Sequence, residues 1–240
     1  MTHRRVGYPL GTPRTTATTL LMTGLIVLGL GGCFLLDGMG PGSQPPPVES
    51  LTLEGVSTGA TVHRHGSFLY LIGGTSDDGT LSAGIQRAQI TADGTASAWQ
   101  DTTPIPQARA YAAVFSAGNI MYVVGGEDES GPSSAIFYTY IDPASGALGF
   151  SGKWETGRRP LPEPRSRMSW FMHEGRIYLA GGVGSDPDGG LGDARDDIIH
   201  ARIWNDGQIG QWYRANESLP SPRSELAALQ TGARAYLAGG

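Results

Sequence analysis

Three short markers recur in phase along this chain, and they limit its possible folds more than any other feature. Four segments end alike: Tyr70-Leu-Ile-Gly-Gly74, Tyr122-Val-Val-Gly-Gly126, Tyr178-Leu-Ala-Gly-Gly182 and Tyr236-Leu-Ala-Gly-Gly240. Their tyrosines stand 52, 56 and 58 residues apart. Ile105-Pro-Gln-Ala-Arg109, Leu161-Pro-Glu-Pro-Arg165 and Leu219-Pro-Ser-Pro-Arg223 form a second marker, each arginine 13 residues before its tyrosine. Trp99, Trp154 and Trp212 form the third, 10 or 11 residues before those arginines. A period of this length implies an array of units, each burying its faces against its neighbours.

Within one period the pattern is of short strands. Residues 110–116, 120–124 and 136–141 read as strands, with a last one near Trp154 and turns at Gly118 and residues 142–146. The next period repeats this with 168–171, 176–180, 198–203 and a strand near Trp212. Asp93-Gly94 and Asp206-Gly207 are hairpin turn signals. The 37 glycines and 16 prolines, set among short apolar runs with no helical spacing, favour an all-β chain. Four strands per period describe a propeller blade.

The order strand, turn, Tyr-x-x-Gly-Gly, loop, strand, turn, Trp, Leu-Pro-x-Pro-Arg resembles the kelch motif, over residues 57–240. The resemblance implies an all-β, kelch-type β-propeller of four-stranded blades. In that family the double glycine ends the second strand, where small residues let blades pack closely, and the tryptophan belongs to the outer strand. The repeats fall at about 57–108, 109–164 and 165–222, with 223–240 incomplete. Ser57 stands where the later repeats carry arginine, which suits a joining blade. The expectation is a truncated array of about three and a half blades, the front of a product of about six or seven. Self-association of an open array is the alternative. Residues 51–54 (Leu-Thr-Leu-Glu) are expected to complete the last blade and latch the ring.

The first fifty residues read as an address. Arg4, Arg5 and Arg14 precede an uncharged apolar stretch at residues 19–32, the layout of a secretory signal peptide. It ends in Leu30-Gly31-Gly32-Cys33, which resembles the lipobox of bacterial lipoproteins. The resemblance implies cleavage after residue 32, acylation of Cys33 and residence in the bacterial cell envelope, at the outer membrane, facing the periplasm or the surface. Each buried acyl CH₂ adds about 0.8 kcal/mol, so several chains anchor firmly. Phe34-Leu-Leu36 lengthens the apolar run enough for an uncleaved anchor, which Gly31 and Gly32 weaken, and Arg4-Arg5 suggests twin-arginine export, which the residues after it fit poorly. The Gly/Pro-rich stretch within 33–50 is a tether, and residues 51–240 are the partial propeller.

Charge and cysteine content exclude several functions. All 22 acids lie beyond residue 32, and so do 14 of the 17 bases, which leaves the exported part at about −8. Such a chain has no electrostatic hold on phosphate backbones, so nucleic acid is not an expected partner. The single cysteine, Cys33, rules out internal disulfides and any cysteine-based metal cage. It also removes the cysteine–tyrosine crosslink that galactose-oxidase-like propellers need. No Ser/His/Asp set, phosphate loop or zinc motif is visible, so no catalytic residue, cofactor or metal is expected.

In the kelch blade order, the connector into the first strand and the loop after Gly-Gly open on one face. That order brings Arg109, Arg165 and Arg223 to the channel mouth, with Tyr111, Arg167 and Glu225 two residues further in, lining the channel by strand alternation. An arginine fork suits a carboxylate or sugar hydroxyls. The competing role is structural, with each arginine paired to a neighbouring blade. The loops supply Asp77 and Asp78, Glu127, Asp128 and Glu129, and Asp186, Asp188, Asp193, Asp196 and Asp197. Asp186-Pro-Asp188-Gly-Gly offers oxygen ligands but lacks the EF-hand spacing. His63-Arg-His65 puts both rings on one side of a strand, without a third ligand nearby, and reads as a surface turn.

The function these features support is recognition of a protein or glycan through the channel-mouth face, with the membrane held through the lipid anchor. The alternative is a carbohydrate-modifying enzyme of the sialic-acid mutarotase type, a likeness of architecture alone. Radiolabelled palmitate is expected to enter the wild-type chain and not Cys33→Ser; equal labelling of both removes the lipoprotein reading.

Overall fold

The computed structural model describes residues 58–149 and 152–240, all of it β-structure and turns with no α-helix among the described residues. Cys33, the proposed latch at 51–54 and Ser57 lie outside the described residues. The first blade comprises β1 (Thr61–His65), β2 (Phe68–Ile72), β3 (Ile85–Gln89) and β4 (Gln100–Thr102), hydrogen-bonded in that order. The second is built from β5 (Ala113–Ala117), β6 (Ile120–Val124), β9 (Ile136–Tyr140) and β10 (Glu155–Thr156). A small hairpin, β7 (Glu127–Asp128) with β8 (Gly131–Pro132), is inserted after β6. The third blade has β11 (Ser169–His173), β12 (Arg176–Ala180), β15 (Asp197–Ile203) and β16 (Ile209–Ser218), with a hairpin of β13 (Val183–Ser185) and β14 (Leu191–Ala194). Last comes an antiparallel pair, β17 (Ala227–Thr231) and β18 (Arg234–Ala238). Three antiparallel four-stranded sheets in one order fit a kelch-like propeller.

Burial explains why these segments are strands. A second strand lies inside its sheet, and in the first blade its run is apolar on both faces: Phe68–Ile72 is buried at every position. In β6 the alternation divides the residues between two cores. Met121 and Val123 meet the first blade's Tyr70, Ile72 and Ile85. Tyr122 and Val124 meet the third blade's Ile177 and Leu179 on the other face. Each such side chain contributes about 1.5–3 kcal/mol by leaving water. The fourth strands face outward and are polar where short, as in Gln100–Thr102 and Glu155–Thr156.

The repeated tyrosine works across blades. The Tyr70 hydroxyl donates to the Gly146 carbonyl at 2.8 Å, and Tyr122 donates to the Gly207 carbonyl at 2.9 Å. Both acceptors lie in the turn between the third and fourth strands of the following blade. Burial pushes the Tyr70 hydroxyl up to about 12, so it remains a donor at neutral pH. The repeated tryptophans sit at or just before the fourth strand, and the Trp154 indole donates back to the Thr103 carbonyl at 3.4 Å.

Arginine and double glycine, far apart in each repeat, meet in one backbone clasp. The amide of the second glycine donates to the arginine carbonyl: Gly74 to Arg109 at 2.7 Å, Gly126 to Arg165 at 2.9 Å and Gly182 to Arg223 at 2.8 Å. A Cβ on the first glycine, at Gly73, Gly125 or Gly181, would collide with that same carbonyl oxygen. These first glycines also hold φ near 60°, the left-handed region. Gly66 has φ 57° but open space around it. Gly125→Ala is therefore expected to cost about 2–4 kcal/mol in chemical denaturation, against about 1 kcal/mol for Gly66→Ala. Equal losses at both sites would show that backbone conformation alone, not the clasp, demands glycine.

Candidate functional site

The three repeated arginines are struts between blades. Arg109 has its amide and carbonyl bonded to the first blade, at Ser82 and Gly74, while its guanidinium reaches Asp128 after β6 at 2.6 Å. Arg165 is bonded through its backbone to Ser133 and Gly126 of the second blade. Its guanidinium donates to the Gly181 carbonyl at 3.1 Å and to Asp197 at 2.8 Å in the third. Arg223 follows the same plan, half-buried, with Nη1 donating to the Gly239 carbonyl at 3.1 Å.

The expectation that these forks open into the channel mouth is corrected for two of them. Arg109 and Arg165 are only 1% and 2% exposed, because a desolvated guanidinium needs a carboxylate and the adjoining loops supply one. Their carboxylate partners belong to the blade each arginine enters, while the backbone bonds, and for Arg109 a bond from Nη2 to the Gln107 side chain at 2.9 Å, reach back towards the preceding one. Burial works to raise the Asp197 carboxyl, but the Arg165 hydrogen bond and charge outweigh it and hold its pKa below the ordinary value.

Tyr111, Arg167 and Glu225 do come together, though not as strand residues. Each lies two positions before its innermost strand with φ of 54°, 56° and 57°, left-handed, where side chains rarely go. Strand alternation therefore does not place them; a turn does. Gly59, at φ 68°, holds the same place in the first blade, and the four residues keep the 52, 56 and 58 spacing. Their backbones form a chain running from blade to blade. Tyr111 N–H donates to Gly59 at 2.7 Å, Arg167 to Tyr111 at 3.0 Å and Glu225 to Arg167 at 2.8 Å.

These residues crown a groove of about 940 Å³ walled by the innermost strands β1, β5, β11 and β17. The Arg167 guanidinium lies 3.9 Å from the centre of the Tyr111 ring. Its Nε and Nη2 donate to Glu127 at 2.7 and 3.4 Å, and Nη1 donates to Glu225 at 2.7 Å. The bond to Glu127, ahead of the opposing effect of burial, holds the Arg167 pKa above its ordinary value. The fork is thus engaged on all three nitrogens and stacked on one face. The rest of the lining is uncharged and mixed, with Ala60, Ala112, Trp170, Met172 and Leu229 beside Thr61, Ser169 and Gln230. Sequence reasoning left Glu127 among the acidic loops. Its signal was a charged residue directly after Gly-Gly, where the other repeats carry Thr75 and Val183.

The remaining candidates are placed elsewhere. Asp186 accepts the Gly190 amide at 2.7 Å and closes its own turn. No three His, Cys, Asp or Glu side chains among the described residues gather as a metal site requires. His63 and His65 lie on β1 rather than in a turn, and both rings meet the Ser116 hydroxyl of β5, at 3.1 and 3.0 Å. His63 occupies the place of Phe115 and Phe171 in the later blades, which accounts for its burial.

Beta-scruin of Limulus polyphemus, a kelch-repeat protein, is 29% identical to this chain over 102 residues. The match takes in 42% of the chain and 10% of beta-scruin, so it spans about a tenth of that relative's length. No family profile matches the chain. This distant likeness and the all-β sheets together fit a kelch-like propeller.

The buried imidazole gives the blade contact an acid limit. Burial first, and the charge of His65 second, lower His63 from 6.5 to about 4. The unfolded chain thus binds a proton that the folded one refuses, and stability falls as pH drops from 6.5 towards 4. The loss is expected to reach about 3 kcal/mol. His63→Phe, which adopts the residue of the other blades, should flatten thermal stability across that window. An unchanged pH dependence in the variant would clear His63 of the effect.

Proposed function

We propose that the chain is an envelope-anchored recognition module that binds a partner protein in the axial groove between its innermost strands. The observation that carries this reading is the left-handed register at Tyr111, Arg167 and Glu225. A left-handed side-chain-bearing residue costs about 1 kcal/mol or more, and Gly59 shows that glycine fills the same place without that cost. Three expensive side chains kept at one register, all directed at one groove, mark positions used for contact. The groove's wall and size suit a polypeptide segment: uncharged side chains, apolar ones such as Trp170, Met172 and Leu229 among them, offer contact area, and the charged crown fixes register.

A glycan is the weaker fit. The Arg167 fork that would hold sugar hydroxyls is taken up by Glu127 and Glu225, and the Tyr111 face that would stack on a ring is covered by Arg167. The lipid anchor at Cys33 is the second part of the proposal, supported by the apolar segment and the lipobox-like Leu30-Gly31-Gly32-Cys33. It would hold the module at a membrane, with the 33–50 tether giving it reach.

A photo-crosslinking residue at Leu229, on the groove wall, is expected to trap a discrete partner in cells that express the full chain. The same residue at Tyr213, on the outermost strand β16, should not. Capture that is equal at the two positions, or absent at Leu229, removes the groove as the binding face.

A further inference from the structure

We infer that the groove selects a basic partner segment, one that sets an apolar side chain on the groove floor and a lysine or arginine beside Glu225. This inference rests on the groove being the binding face. The lining carries one guanidinium, Arg167, and one carboxylate, Glu225, and Glu127 bonded to Arg167 from outside the groove adds a second carboxylate, so an arriving anion meets an excess of negative charge. Arg167 cannot offset this by turning to an anionic ligand without giving up hydrogen bonds to both carboxylates. Glu225 is the accessible member, its side chain 55% exposed against 16% for Glu127, and it pairs with Arg167. A cation arriving there adds a second positive neighbour to a carboxylate that already faces the groove.

The rest of the groove and of the chain agree with this choice. Away from the crown the lining is uncharged, with Trp170, Met172 and Leu229 as its large apolar members beside Thr61, Ser169 and Gln230, so the basic group stays at the crown and an apolar group meets those three. Beyond residue 32 the 22 acids outnumber the bases, with Lys153 as the single lysine. A field of that sign draws basic segments in and repels acidic ones, more so at low salt.

The test is to pan a random linear peptide library on the immobilised full chain. Selected peptides are then measured by fluorescence anisotropy on wild type, Tyr111→Gly, Arg167→Gln and Glu225→Gln, each checked for a cooperative melt. Groove-dependent binders, those lost on Tyr111→Gly, are expected to carry Lys or Arg beside an apolar residue. They should weaken about fivefold on Glu225→Gln, hold or tighten on Arg167→Gln, and weaken as salt rises. Groove-dependent binders rich in Asp or Glu, and lost on Arg167→Gln, would overturn the basic preference and leave the groove as the binding face. Binders indifferent to all three substitutions would overturn both.

Discussion

The structure depends on a clasp between residues that the chain keeps 35, 39 and 41 positions apart in successive repeats. A carbonyl from each connector arginine enters the double glycine that ends the previous blade's second strand, accepts one amide and fills the space a Cβ would need. The same arginine then sends its guanidinium into the blade it is about to begin. Backbone and side chain of one residue thus hold two successive blades. The interaction is costly to break on either side. A methyl group on the glycine displaces the carbonyl, and loss of the guanidinium strands a largely buried carboxylate.

The clasp in turn sets the geometry of the axis. With the arginine fixed, the chain must turn within two residues to enter the innermost strand, and it does so through the left-handed conformation at Gly59, Tyr111, Arg167 and Glu225. That turn aims three side chains into the groove and lets successive backbones hydrogen-bond from blade to blade. These residues are therefore held by a backbone framework in which their own side chains have little part. Such positions are free to differ in chemistry from blade to blade, and they do so as glycine, tyrosine, arginine and glutamate.

The blade faces show how one repeat accommodates exceptions. Phe115 stacks on Tyr122 at 4.9 Å, and Phe171 stacks on Tyr178 at 4.8 Å, so aromatic pairs lie across the first two strands. In the first blade His63 takes the phenylalanine's place and turns to Ser116, a residue of the next blade. The substitution keeps the shape of an aromatic pair and adds a polar contact. It also makes that blade face sensitive to acid, because the ring must stay neutral where it is buried.

Sequence alone determined the period, the strands and the residues that make the clasp. Tyrosine, double glycine, arginine and tryptophan are spaced by backbone geometry that every blade must satisfy, so they stay in phase and can be counted; residues 120–124 and 176–180 are strands in the structure as their patterns indicated. The small hairpins β7–β8 and β13–β14 were hidden, because short polar turns carry no periodic signal. Only the tertiary structure decided what the polar residues do. Arg109 and Arg167 differ by a burial and a set of partners that no local pattern encodes: the first is sealed against Asp128, while the second stands in a groove between Tyr111 and two glutamates. Alternation along a strand could not place Tyr111, Arg167 and Glu225, because their direction is set by a left-handed turn. That turn follows an arginine whose backbone is bonded to the preceding blade, and its own amide bonds back to that blade as well.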